Sequence, residues 1–265
     1  MTTLPEPNPT LILRQDRAGV ATLTLNRPQQ FNALSQALLT ALAQQLSAIA
    51  ADASVQVVVL AGAGRAFCAG HDLKEMRSNP SKDFQQALFK QCGELMLSLQ
   101  QLPQPVIARV HGTATAAGCQ LVSMCDLAVA ADVASFAVSG INLGLFCSTP
   151  AVGITRNIGR KQALEMLLTG DFINAHQAQQ RGLVNRVVAP EALDGEVARL
   201  CDSILAKSPV AVRTGKQMFY QQLEMDIAQA YQYAAKVMAC NMMSHDAQHG
   251  IDCFIEKKTP QWTGQ

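Results

Sequence analysis

Residues 111–150, HGTATAAGCQLVSMCDLAVAADVASFAVSGINLGLFCSTP, decide how this chain is read. Three small residues, Ala116-Ala117-Gly118, open a run in which Leu121 and Met124 follow at helical spacing, so a helix is expected from Ala117. The first N–H groups of a helix lack partners within it and carry the positive end of its dipole, which suits them to an anionic oxygen. The plainer alternative is that the small residues only let helix and strand approach closely. Leu127–Ala130 reads as a short buried strand. The stretch is poor in acids: no glutamate occurs between Glu94 and Glu165, and Asp126 and Asp132 are the sole carboxylates there. Asp126, inside the apolar run MCDLAVA, is expected to be a structural hydrogen-bond acceptor rather than a base.

Upstream, strand and helix signals alternate. Val20–Leu25 alternates like a half-buried strand, and NRPQQFNALS gives a turn with Ser35 placed to cap a helix. Leu38, Leu39, Leu42, Leu46 and Ile49 predict a helix over Gln36–Ala51. Val55–Ala61 and Val106–Val110 read as buried strands, with a long helix over Phe84–Leu102 ended by Pro103 and Pro105. Downstream of Arg160 the pattern turns helical: Lys161–Leu168, Ala175–Arg181, Glu191–Lys207, Pro209–Met243 and Ala247–Lys257, with a brief strand at Val184–Val188. The expected organisation is a loose tail over 1–10, an α/β core over 11–190 and a helical region over 191–265.

The 265-residue chain is 49% hydrophobic and 15% charged, with a formal net charge of +1, which favours a folded core and gives no reason to expect nucleic acid or an anionic membrane as partner. No apolar run approaches the ~20 residues that span a bilayer. The opening MTTLPEPNPT has neither a basic n-region nor an Arg-rich amphipathic pattern, so a cytoplasmic chain is expected. Eight cysteines form no C-x-x-C pair and fall mostly in apolar runs, so free thiols are expected and no metal. His245 and His249 stand four apart, but Asp246 rather than Glu follows the first, and a solvated helix face is expected.

After the Val55–Ala61 strand, Gly62-Ala63-Gly64-Arg65-Ala66-Phe67 half-matches a dinucleotide fingerprint; Phe67 holds the place of the third glycine. The segments LNRPQQFNALS, GAGRAFCAGHDLKEM, the Gly118-Cys119 turn, NLG, LLTGDFINAHQAQQRGLVNRVV and SHDAQHGIDCFIEKKTPQW, in that order, resemble the enoyl-CoA hydratase/isomerase (crotonase) family over nearly the whole chain after Pro9. Within the family, AAGCQLV and NLGLFCSTP most resemble the branch called enoyl-CoA hydratase domain-containing protein 3.

The resemblance implies a crotonase (ClpP-like) spiral of ββα units with a C-terminal helical trimerisation region, and a homotrimer or dimer of trimers. It implies an acyl-CoA thioester as ligand, with coenzyme A entering only as part of the substrate and no separate cofactor. The N–H groups of His71 and Ala117 would form an oxyanion hole for a thioester enolate. His71, Asp72, Leu73 and Lys74 would line the acyl and pantetheine end, Ala117, Gly118 and Cys147 would also contact the ligand, and Ala69 with Arg27 through Phe31 would lie near the CoA nucleotide. The family's hydratases use two glutamates, whose places are taken here by Gln120 and Gly140. An amide has no useful acid–base pKa, and each such group contributes about 10²–10⁴-fold, so classical hydration is expected to be weak. The His71 ring could serve as a base or leave the work to its backbone. Cys147 could act as nucleophile or merely pack. An acyl-CoA-binding oligomer without catalysis and a thioesterase-type enzyme both stay open.

Overall fold

The computed structural model describes residues 10–265, so the tail expected over 1–10 falls almost wholly outside the described residues. The chain enters through a hairpin, β1 (Ile12–Arg17) and β2 (Val20–Leu25), closed by Ala18 and Gly19 at φ 47° and 81°. Two left-handed residues make the tight turn whose twist matches paired strands. Ala21, Leu23 and Leu25 point inward from β2, and α1 (Gln36–Ala50) lays its five expected apolar residues on them. Ser35 caps α1 by accepting the Leu38 N–H.

Three ββα turns follow. The first is β3 (Val57–Gly62), β4 (Ala66–Cys68), α2 (Leu73–Ser78) and α3 (Lys82–Gln101). The second is β5 (Val106–Val110), β6 (Thr113–Thr115) and α4 (Ala117–Met124). The third is β7 (Leu127–Ala131), β8 (Ser135–Ala137), α5 (Ser148–Asn157) and α6 (Arg160–Thr169). Then come β9 (Ile173–Asn174), α7 (Ala175–Gln180) and β10 (Arg186–Val188). Each turn gives its first strand to a six-stranded sheet ordered β1-β2-β3-β5-β7-β10 and its second to a four-stranded sheet ordered β4-β6-β8-β9. The spiral expected from the sequence is therefore present. The Gly62–Phe67 turn leads into β4 rather than a helix, which removes the dinucleotide-fingerprint alternative.

The helices α8 (Leu193–Leu205), α9 (Pro209–Gln222), α10 (Ile227–Met242) and α11 (His245–Ile255) complete the chain. Leu193, Val197 and Cys201 of α8 cover the far face of the large sheet against Val57, Val59, Ile107 and Val129. The single helix expected over Pro209–Met243 is two, because Asp226 caps a new start by accepting from Ala228 and Gln229 N–H. Asp126 is the acceptor expected: it takes bonds from Val106 N–H (2.6 Å), Lys216 Nζ (2.7 Å) and Tyr220 OH (2.8 Å), fastening α9 to the spiral.

Candidate functional site

The strands β4, β6 and β8 lie side by side and parallel, so their C-terminal ends share one edge of the small sheet. Ligands in parallel sheets bind at that edge. Here β4 delivers residues 69–73, β6 delivers Ala116 and Ala117, and β8 delivers Ser139 and Gly140. All of these but Gly70 and Asp72, together with Met76, Phe89, Leu143 and residues 145–150, line a mostly apolar cavity of about 300 Å³. A larger hollow of about 560 Å³ lies under Trp262 and Gly264 near the α8–α9 junction, and none of the expected site residues reaches it.

The 69–72 segment is held by its neighbour: Ala69 N–H bonds Phe31 O, Leu34 N–H bonds Gly70 O, and Asp72 N–H bonds Leu34 O. In such parallel pairing the intervening His71 N–H faces the opposite side. Gly70 adopts φ 91°, and a Cβ there would lie 3.2 Å from Ala117 N and 2.9 Å from Ala116 Cβ, so this loop rests on the start of α4. Gly118 fixes the same contact, since a Cβ on it would stand 2.1 Å from Cys68 O. Ala116 sits at φ 51°, ψ −121°, a conformation costly for alanine, with its own N–H bonded to Ala137 O. Among the described residues neither His71 N–H nor Ala117 N–H has an acceptor.

The His71 ring packs edge-on against Phe89, ring centroids 5.4 Å apart, and neither ring nitrogen has a hydrogen-bond partner among the described residues. Burial pushes its pKa below the usual imidazole value; the Leu34 carbonyl opposes the shift but lies outside hydrogen-bond geometry. The ring is thus part of the wall, where burial disfavours its charged form. Cys147 precedes α5, and its Sγ occupies the space beside Gly140: a Cβ on Gly140 would lie 2.7 Å from it. Burial pushes the Cys147 thiol up, with the Gly140 N–H opposing.

Of the residues expected at the site, the cavity gathers Ala69, His71, Leu73, Ala117, Gly140 and Cys147. Six others are not on its wall. Gln120 is 3% exposed within α4, and its Oε1 has no partner among the described residues. Gly118 is spent on packing against Cys68. Asp72 caps α2 through Lys74 and Glu75 N–H and pairs with Arg27 at 2.9 Å. Burial would raise its pKa, but these partners hold it below the usual carboxylate range. Arg27 also donates to Ala33 O, Lys74 is exposed, and Phe31 lies under the Arg65 guanidinium at 4.4 Å. Met76 and Phe89 reach the cavity without having been expected, because only the packing of α2 and α3 over the sheet edge brings them there. Asn32 is another such residue: fully buried, it accepts from Arg27 N–H and donates to Ala63, Ala66 and Phe67 carbonyls, tying the 27–32 turn to β4.

The sequence profile of the enoyl-CoA hydratase/isomerase family matches residues 15–265. The chain belongs to that family. It is 42% identical to enoyl-CoA hydratase domain-containing protein 3 of Rattus norvegicus, over 98% of this chain and 86% of the relative. It is 36% identical to the 2,3-dehydroadipyl-CoA hydratase of Escherichia coli, over 96% of this chain and 98% of the relative. The crystal structure of an enoyl-CoA hydratase from Mycobacterium smegmatis superposes with a TM-score of 0.94 at 59% identity, covering 95% of this chain and 98% of that one. The branch resemblance read from AAGCQLV and NLGLFCSTP agrees with these relatives. The cytoplasmic expectation does not stand: the rat protein and its Xenopus and human namesakes are each named mitochondrial. The composition of a folded core carries no address, since targeting is read from separate segments by receptors.

Proposed function

We propose that this enoyl-CoA hydratase/isomerase family member binds an acyl-CoA thioester in the cavity and polarises its carbonyl between the His71 and Ala117 N–H groups. The observation that carries this is two backbone donors without acceptors, from neighbouring parallel strands, meeting at one apolar cavity. Such fixed donors need no reorganisation as charge grows on oxygen, and losing one typically costs about 2.7–4 kcal/mol of transition-state stabilisation. The strained Ala116 supports the same reading, because its ψ turns the Ala117 N–H at the start of α4.

Hydration of 2-enoyl-CoA is expected to be weak. Among the described residues no carboxylate lines the cavity, and the two titratable side chains there, His71 and Cys147, are both held towards the neutral form by burial. The same observation favours a second reading, an acyl-CoA-binding oligomer without turnover. Exposed Ile227, Tyr231, Met238 and Phe254 on α10 and α11 support a homotrimer or dimer of trimers, which light scattering on the eluting protein would test.

The deciding experiment has two arms. Carbon-13 NMR of an acyl-CoA labelled at its carbonyl should show a downfield shift on binding, and crotonyl-CoA hydration should stay far below hydratase rates. An unshifted carbonyl would refute the oxyanion hole. Hydratase-like turnover would refute the weak-hydration claim. A shift without consumption of any acyl-CoA in a panel selects the second reading.

A further inference from the structure

Resting on the thioester reading above, we infer that the cavity takes acyl groups without a distal charge and turns away acyl-CoAs ending in a carboxylate. Among the described residues its wall holds no lysine or arginine. Leu73, Met76, Phe89, Leu145 and Phe146 supply its apolar surface. Its hydroxyls are partly committed, Ser139 to Thr115 Oγ1 at 2.8 Å and Ser148 to Phe146 O at 3.4 Å. The one imidazole on the described wall packs edge-on against Phe89, and its burial disfavours the charged form.

The cations on the surrounding elements are turned to other work or to solvent. Arg27 is held by Asp72 and the Ala33 carbonyl. Lys90, next to Phe89 on α3, is 79% exposed and pairs with Glu94 at 3.8 Å. Lys74 and Arg77 of α2 are exposed, and Arg65 covers Phe31. A carboxylate carried into this cavity would leave water without gaining a counter-charge, which is among the costliest burials in protein chemistry. A methyl end of the same length gains by the same transfer.

This is a choice made by the wall and not a fixed property of the fold. The Escherichia coli relative is named for 2,3-dehydroadipyl-CoA, whose six-carbon acyl group ends in a carboxylate. On this chain the corresponding saturated pair, hexanoyl-CoA and adipyl-CoA, should be sharply distinguished.

The test is calorimetric titration of the full chain with CoA, butanoyl-CoA, succinyl-CoA, hexanoyl-CoA and adipyl-CoA. Butanoyl- and hexanoyl-CoA should bind about tenfold or more tighter than CoA, which is 1.4 kcal/mol per decade. Succinyl- and adipyl-CoA should bind no tighter than CoA itself. A gap below tenfold within both length-matched pairs overturns the inference while leaving the thioester site intact. If no acyl-CoA binds better than CoA, the thioester reading fails and the inference with it.

Discussion

Gly140 offers the sharpest test of how this site is built. It lies in the 3-10 turn Ser139–Leu143, and its carbonyl accepts the Leu145 N–H at 3.0 Å. That bond folds the 140–147 loop back on itself, so a Cβ on residue 140 would stand 2.7 Å from both Leu145 O and Cys147 Sγ. Ordinary contact begins near 3.4 Å, so each neighbour would have to yield by roughly half an ångström or more. Overpacking of this kind costs typically about 1–3 kcal/mol. For a chain of this size about 1 kcal/mol moves the melting temperature by about 2–4 °C. Gly140→Ala should therefore melt several degrees lower in differential scanning calorimetry. Cys147→Ala in the same chain should recover part of the loss, because it clears the thiol but not the Leu145 carbonyl. The two substitutions should thus couple in a double-mutant cycle. Gly140→Ala melting at the wild-type temperature, or a cycle that is simply additive, would refute the reasoning. A glutamate at 140 meets the same obstacle, so a second acid at this position needs a rebuilt loop.

Three further outcomes follow from the same geometry. Lys216→Met should destabilise the fold by about 3 kcal/mol in urea denaturation, since it strips the counter-ion from part-buried Asp126 and leaves the Leu99 and Gln104 carbonyls without their donor; the Asp126→Asn/Lys216→Met pair should cost less than the two singles summed. Burial would raise the Asp246 pKa, but bonds from Ser208, Thr263 and Gly264 outweigh it and hold the carboxyl at about 2. Because the folded value lies below the unfolded one, its stabilisation is complete above pH 4 and is lost as pH falls towards 2, so Asp246→Asn should flatten the acid limb of a stability–pH curve. Ala116→Gly should raise the melting temperature by relieving a positive φ, a net gain on the order of 1 kcal/mol after the entropy cost of glycine; a lower melting temperature would show that the Ala116 methyl contributes more by packing than its backbone costs.

Much of the fold is legible along the chain. The five buried residues of α1 are those its periodicity marks, Ser35 caps it as its residue type suggests, and Gly170 ends α6 in the left-handed conformation. What escapes are elements too short to carry a period. β4, β6 and β8 have three residues each, and they are the strands that deliver the site. The break before α10 depends on one capping aspartate inside a continuous helical pattern.

By itself the sequence determined the family and the absence of the two glutamates, because these reside in local residue order; the ββα succession followed only as what the family resemblance implies. Only the tertiary structure decided that Cys147 fills the space beside Gly140, that Asp72 and Arg27 hold each other rather than line the cavity, and that Phe89 presses the His71 ring. It also decided the pairing of Asp126 with Lys216, which are 90 positions apart. Such contacts arise when stacked turns of the spiral bring distant segments to one sheet edge. Burial then fixes which polar groups find partners there and which are left facing the cavity.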